Sequence, residues 1–596
     1  MIHACEEDQR WLARRPDHVL LLRGISQGLV LPAWPSAARM ATSLLPTDFW
    51  IDVLAQLTSA HLLNATATDH MLLKLRGEAI QARMERVLGT QVVLRPQETN
   101  LMALRFVDLM DDSLRHTVAL GEFHAVALRD ADSEPYSWGG ADPGTWKPAD
   151  QDEDADKDDV WLAHLGHNRW SGPVVRVPTR MDTEPGGNLE EQYMRAALEL
   201  DCVDVSVGLV HSLVVLSNGT ACSCGAGGYY TGHGSADIDS VEFSGYEGDV
   251  GARQLCALEI IAGLSEHRVL RVAAGMIFSL VATAQGLVFS FGNGSSGALG
   301  HGTRDTEKLP RLVEALTSTR VVDISAGSSH CLATTEDGLL YSWGGAHSGA
   351  LGLGPSTNLI CTPSVVPLAN RKARQVSAAG QHSLVVCSQR HLFSFGTNDA
   401  GELGLGDHNP RYRPVRVTAI ESAAAAAAGQ QHSVVLATDG AVYTFGQGRN
   451  GQLGHGTLRC EPSPRRLDSA SLAFLPSAVY PPSAPTLQVV EVAAGNGCTV
   501  LRMSNGLLYA FGDNSTGLLG NDAVDMMDRP SGGVPVPVPV LQCWFDDGEK
   551  DEGTQSTEFD KKWCRRGLAA DKWARERAAE IKQAWQSLNS GEDSDD

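Results

Sequence analysis

An aromatic residue followed by glycine recurs along this chain in one phase, and no other feature constrains the fold as tightly. The pairs are Trp138-Gly139, Phe291-Gly292, Trp343-Gly344, Phe395-Gly396, Phe445-Gly446 and Phe511-Gly512, with Cys224-Gly225 as a variant. Their glycines stand 86, 67, 52, 52, 50 and 66 residues apart, so the unit is about 52 residues long and the wider gaps hold insertions. A second marker, G-x-L-G, keeps the same intervals at Gly297 to Gly300, Gly349 to Gly352, Gly401 to Gly404, Gly451 to Gly454 and Gly517 to Gly520. Seven units in one phase make a repeat protein.

The content of a unit is β. Asn218-Gly219, Gln285-Gly286, Asp337-Gly338, Asp439-Gly440 and Asn505-Gly506 each sit between two apolar runs, six residues before an aromatic-glycine pair. Such dipeptides predict two-residue hairpins in which both central residues take positive φ. A strand such as His432 to Leu436, a tight turn and a strand such as Ala441 to Phe445 then form half of a four-stranded unit. That spacing fits a propeller blade better than a sandwich, and seven blades close a ring. The expectation is an all-β, seven-bladed β-propeller over residues 116–540.

Repeat six reads Ala428-Gly429-Gln430-Gln431-His432-Ser433 and continues to Gly451-Gln452-Leu453-Gly454-His455-Gly456. It resembles the repeat of the regulator of chromosome condensation (RCC1) family, and the resemblance extends over about 70% of the chain. It implies the seven-bladed fold. For function it implies less, because one fold hosts many activities. The repeats also depart from the pattern. Phe278 and Cys498 stand where other units have histidine, Ala379 replaces a glycine, and Arg390 occupies the hairpin-glycine position of repeat five.

His124, His211, His330, His382 and His432 occur one per unit at equivalent positions, which suits repeated backbone support and not a single reactive centre. Gly292 to Gly297 and Gly446 to Gly451 both spell G-x-G-x-x-G, but no βαβ unit surrounds them, so they read as turns. The twelve cysteines contain no C-x-x-C pair, and only Cys222 and Cys224 are close in sequence, which suits small buried hydrophobes in a reducing compartment. No metal site, cofactor or catalytic residue is expected.

A formal charge of −23 disfavours direct binding of nucleic acid or an anionic membrane. The segment before the repeats has no basic, apolar targeting pattern, and no apolar run is long enough to span a bilayer. The expected location is cytoplasm or nucleus. Within repeat one, Asp150, Asp152, Glu153, Asp154, Asp156, Asp158 and Asp159 form an acidic insertion. Counted as a calcium loop from Asp150, it puts Ala155 where glycine and Trp161 where glutamate are required. It reads instead as a solvated loop able to meet a basic partner, or as a purely solubilising one.

Residues 1–39 read as a partly disordered extension and 40–115 as a helical region. Within it, Leu45 and Pro46, followed by Val53, Leu54, Leu57, Leu62 and Leu63, resemble an F-box, the helical module that docks on the Skp1 subunit of cullin ubiquitin ligases. Thr68 and Leu72 depart from that pattern, and a helical cap on the propeller reads the same periodicity. Residues 541–596 form an acidic tail in which Ala574, Ala578, Ile581, Trp585 and Leu588 mark one helical face. The functional expectation is a non-enzymatic regulatory adaptor, in its sharpest form the substrate-binding subunit of an Skp1–cullin ligase. Two alternatives stand beside it: nucleotide exchange on a Ran-like small GTPase, which the family resemblance implies, and a scaffold with neither link.

Overall fold

The computed structural model describes residues 116–540, apart from 122–123, 129–134, 140–174, 181–201, 210, 226–228, 235–254, 356–357, 469–487, 505, 516 and 522–533. The helical regions expected within 40–115 and 541–596 therefore lie outside the described residues. The described strands form seven antiparallel sheets of four, each cut from consecutive sequence. Blade 1 comprises Val118–Leu120, His124–Leu128, Pro135–Gly139 and Val175–Arg180, and blade 7 comprises Val489–Ala494, Cys498–Met503, Leu508–Gly512 and Val534–Pro539. The expected seven-bladed propeller is the fold observed.

The first strand of every blade faces the central channel and the fourth forms the outer rim. Proximity to the axis favours small side chains. Blade 6 is the extreme case, because Ala423–Ala428, six alanines with the highest intrinsic helix preference, form its inner strand. Pairing with His432–Ala437 and packing between neighbours override that preference.

Register repeats around the ring. The residue opening each second strand opposes the glycine of the aromatic-glycine pair, as in His330 with Gly344, Phe278 with Gly292 and Cys498 with Gly512. The hairpins differ from the expected two-residue form. Positive φ, between 80° and 86°, occurs at Gly219, Gly286, Gly338, Gly440 and Gly506 but not at the preceding Asn218, Gln285, Asp337 or Asp439. Gly219 N donates to Leu216 O at 2.8 Å and Leu216 N to Thr220 O at 2.9 Å, a type I turn closed by a glycine bulge. The side chain before the glycine selects this geometry: Asn218 Oδ1 accepts from Thr220 N and Asp439 Oδ1 from Ala441 N.

The outer strands bear proline in six blades, at Pro178, Pro310, Pro363, Pro414, Pro462 with Pro464, and Pro535, Pro537 and Pro539. A missing N–H at the rim hinders edge-to-edge pairing with another sheet. Blade 2, ending in Leu255–Ile260, is the one without it.

The ring closes chiefly through side chains, with a main-chain bond from Asn496 N to Gly121 O at 3.3 Å. Val118, Ala125 and Trp138 of blade 1 share a core with Val500, Leu508, Leu518 and Val540 of blade 7. Glu491 of blade 7 accepts from Thr117 N at 2.7 Å and from Val118 N at 3.2 Å.

Candidate functional site

The repeated histidines form one interblade device. His124 Nε2 lies 2.8 Å from Ser212 Oγ, His211 3.0 Å from Ser279, His330 3.0 Å from Ser383, His382 2.9 Å from Ser433, and His432 2.9 Å from Thr499 Oγ1. Each hydroxyl belongs to the next blade. Four of them already donate, to the carbonyls of Tyr230, Ala350, Glu402 and Gln452 at 2.7 to 2.8 Å. The hydroxyl oxygen must then accept, so Nε2 carries a proton, and Nδ1 of these four rings, buried with no acceptor among the described residues to receive a second proton, leaves them neutral. Burial agrees, pushing His211 and His382 down to about 3 and His330 and His432 to about 4.

A serine against a histidine at this distance has the outline of a nucleophile and its base. Three facts remove that reading. The side chains are buried, the hydroxyl proton is engaged by a carbonyl, and the pair recurs at five junctions.

At the two remaining junctions both partners change together. Phe278 shares a buried core with Cys331, which takes the hydroxyl's position in blade 4, and Cys498 shares one with Ala125, which takes it in blade 1. The next blade then supplies tryptophan as its aromatic: Trp343 Nε1 donates to Ala298 O at 2.7 Å and Trp138 Nε1 to Leu518 O at 2.8 Å. These carbonyls occupy the same place in G-x-L-G as Ala350 and Gln452. The indole N–H thus replaces the hydroxyl, and the small Cys331 or Ala125 makes room for it.

The central channel has a cavity volume of about 210 Å³ and small linings such as Ala274, Ser325 and Ala427. Its rim at the turns between first and second strands carries Leu209, Met276, Ser328, Gln430 and Asn496. Deeper, charged groups bind blades together. Asp204 accepts from His116 N at 2.9 Å and Val272 N at 3.0 Å, with Arg271 Nη1 4.0 Å away. Burial opposes protonation of His116, but the bond and charge of Asp204 outweigh it and hold the imidazole above its ordinary value. Asp323 accepts from Val376 N at 3.0 Å, and burial raises its carboxyl against the pull of His116 and Arg271.

The G-x-G-x-x-G stretches are the connections from third to fourth strand, as expected. At Gly294 a Cβ would meet the Asp305 carbonyl at 1.8 Å, so close backbone packing accounts for that glycine. Cys222, Cys224, Cys331, Cys387 and Cys498 are fully buried and form no disulfide, and burial pushes Cys222 up to about 12. Among the described residues no group of three His, Cys, Asp or Glu side chains is arranged to hold a metal, and no helix is long and apolar enough to cross a membrane.

Leu45, Pro46, Val53, Leu54, Leu57, Leu62 and Leu63 lie outside the described residues, as do Asp150, Asp152, Glu153, Asp154, Asp156, Asp158 and Asp159. The acidic group falls in the connection between Pro135–Gly139 and Val175–Arg180 of blade 1. Sequence reasoning missed the hydroxyl partners of the histidines and the tryptophan exchange. The signal was present one repeat away, in the paired loss of His and Ser.

Residues 163–545 match the family model described as RCC1-like domain. The chain is 32% identical over 217 residues to the ultraviolet-B receptor UVR8 of Arabidopsis thaliana, covering 36% of this chain and 46% of that protein. It is 28% identical over 309 residues to the human E3 ubiquitin-protein ligase HERC2, covering 50% of this chain and 5% of that one. Less than half the length of either relative is therefore spanned. The crystal structure of human WBSCR16 superposes with a TM-score of 0.50 at 21% identity, covering 68% of this chain and 94% of that one, a likeness of fold.

Proposed function

We propose that this chain, which belongs to the RCC1-like domain family, is a protein-interaction regulator that works by holding partners and not by chemistry. One observation carries the reading: the side chains that look reactive are spent on junctions between blades. The five histidines are buried and bonded to the next blade, and burial holds His211, His330, His382 and His432 neutral. Recognition is left to the connections at the two faces, which vary between repeats while the strands do not.

In its sharper form the reading is a substrate-binding subunit of an Skp1–cullin ubiquitin ligase. Leu45, Pro46, Val53, Leu54, Leu57, Leu62 and Leu63 would dock Skp1, and a propeller face would hold the substrate. The F-box resemblance supports this, as does similarity to a relative named as an E3 ubiquitin-protein ligase. Co-purification of Skp1 with the full chain, abolished when Leu45, Pro46 and Leu57 are replaced by alanine, is the expected result. Unchanged recovery of Skp1 from that variant would overturn it.

Nucleotide exchange is less well supported. A carboxylate wedged toward the phosphate and magnesium of a GTPase would suit it, yet the described rim carries Leu209, Met276, Ser328, Gln430 and Asn496. Stimulated release of labelled GDP from a Ran-like GTPase would favour exchange over the adaptor reading.

A further inference from the structure

Strain and unpaired positive charge coincide at one place on the propeller, the hairpin end of blade 5. Of the described non-glycine residues at positive φ, Ala369 (47°), Asn370 (63°) and Arg390 (63°) gather there, and the other, Ser348, lies in blade 4. Arg390 occupies the position that holds glycine in every other described hairpin. Backbone held in a sparsely populated region is a reason to look for function.

The two strained segments pack together. Ser388 N donates to Lys372 O at 2.8 Å, Arg390 O accepts from Ala423 N at 2.7 Å, and Arg371 Nη1 donates to His391 Nδ1 at 2.9 Å. Arg416, at the end of the outer strand Arg411–Arg416, lies close enough to His391 to depress its protonation alongside burial and Arg371. His391 therefore adds no charge but orients a guanidinium. Arg371, Lys372, Arg390 and Arg416 form no ion pair with any described residue, unlike Arg411 and Arg465, which pair with Asp407 and Glu461. From Pro367 to Asp468 the chain has eleven Lys and Arg against seven Asp and Glu, within a protein of charge −23.

We propose that Arg371, Lys372, Arg390 and Arg416 form a docking site for an acidic, carboxylate-rich segment of a partner protein. Guanidinium groups receive carboxylates through paired N–H donors, and three of the four cations are arginines. The patch spans one blade end in an acidic molecule. A long polyanion such as duplex nucleic acid, or an anionic membrane, would extend past it and meet repulsion, whereas a short acidic segment would not. The inference rests on the propeller being a protein-binding module but not on Skp1, whose recovery is not its readout.

The test uses the full chain and a fluorescein-labelled dodecapeptide of alternating glutamate and glycine, read by fluorescence anisotropy at low and physiological salt. The wild type binds and weakens with salt, while joint Arg371→Glu and Arg416→Glu weakens binding at least ~tenfold. Arg390→Gly separates recognition from folding: it restores the hairpin glycine, so it melts no lower than the wild type while binding the peptide less well. Joint Arg449→Glu and Arg459→Glu, the same four-unit change in charge between the third and fourth strands of blade 6, leaves affinity within about twofold, and Arg459→Glu alone does the same. Absence of peptide binding, an equal loss in the joint Arg449→Glu and Arg459→Glu variant, undiminished binding by Arg390→Gly, or tighter binding of duplex DNA or phosphatidylserine vesicles would each overturn the proposal.

Discussion

Trp343 Nε1 donates to the carbonyl of Ala298 at 2.7 Å, taking over at the junction of blades 3 and 4 the bond that Ser383 makes to Ala350 at the next. Two chemistries therefore solve one problem, a buried carbonyl that must be satisfied where blades meet.

Replacing Trp343 by phenylalanine, the aromatic of blades 3, 5, 6 and 7, should destabilise the ring by about 1 to 3 kcal/mol, because Ala298 keeps only the weaker thiol donor of Cys331. Adding Cys331→Ser supplies a hydroxyl, so the double variant should recover part of the loss. Guanidinium unfolding of the four members of the cycle reads the coupling. Strictly additive losses would reject the exchange of indole for hydroxyl.

Acid should loosen the junctions. Unfolded, these imidazoles titrate near 6.5, while in the ring His211 and His382 lie at about 3 and His330 and His432 at about 4. Between those values the unfolded chain binds protons that the ring refuses. Their contribution is whole above 6.5 and drains as pH falls, by up to ~1.4 kcal/mol per unit for each histidine. Urea unfolding at stepped pH should show this, and His382→Gln, less stable at neutral pH, should show a shallower decline.

Much of this was legible in sequence. The phase of Trp343-Gly344 and its counterparts located all seven third strands, and Gly349 to Gly352 the turn after one of them. The hairpins were misread because a glycine at positive φ serves both a two-residue turn and a type I turn with a bulge, and only the Asx bond of Asn218 or Asp439 separates them. The histidine partners were invisible to comparison within a repeat, because Phe278 is explained by Cys331 and Cys498 by Ala125 only once adjacent blades are paired. Of the site expectations, Leu45 to Leu63 and Asp150 to Asp159 lie outside the described residues.

Two hairpin glycines should respond differently to alanine. At Gly440, φ is 81° and an added Cβ meets nothing within 4 Å, so the loss should be the conformational ~1 kcal/mol. At Gly338 a Cβ would sit 2.4 Å from that of Lys372, and the loss should exceed it. Equal melting points for the two variants would contradict this ordering.

Glu491 should matter as an acceptor and not as a charge. Burial holds its carboxyl above the ordinary range against the bonds from Thr117 and Val118. A raised acid costs stability as pH climbs through its folded value, so Glu491→Gln should be as stable as the wild type at pH 8 or more so. Glu491→Ala, which leaves two amides without their acceptor, should cost about 2 to 3 kcal/mol in the same unfolding measurement.

Because every blade is cut from consecutive sequence, the junction between blades 7 and 1 is a clasp and not a zipper. Pulled apart there, the ring would give way where Glu491, Trp138 and one shared core hold it, with no ladder of β bonds sharing the load. The same arrangement lets the chain be cut and rejoined elsewhere: a permutant beginning at blade 4 and ending at blade 3 would divide no sheet, and its new opening would fall at the other junction held by tryptophan.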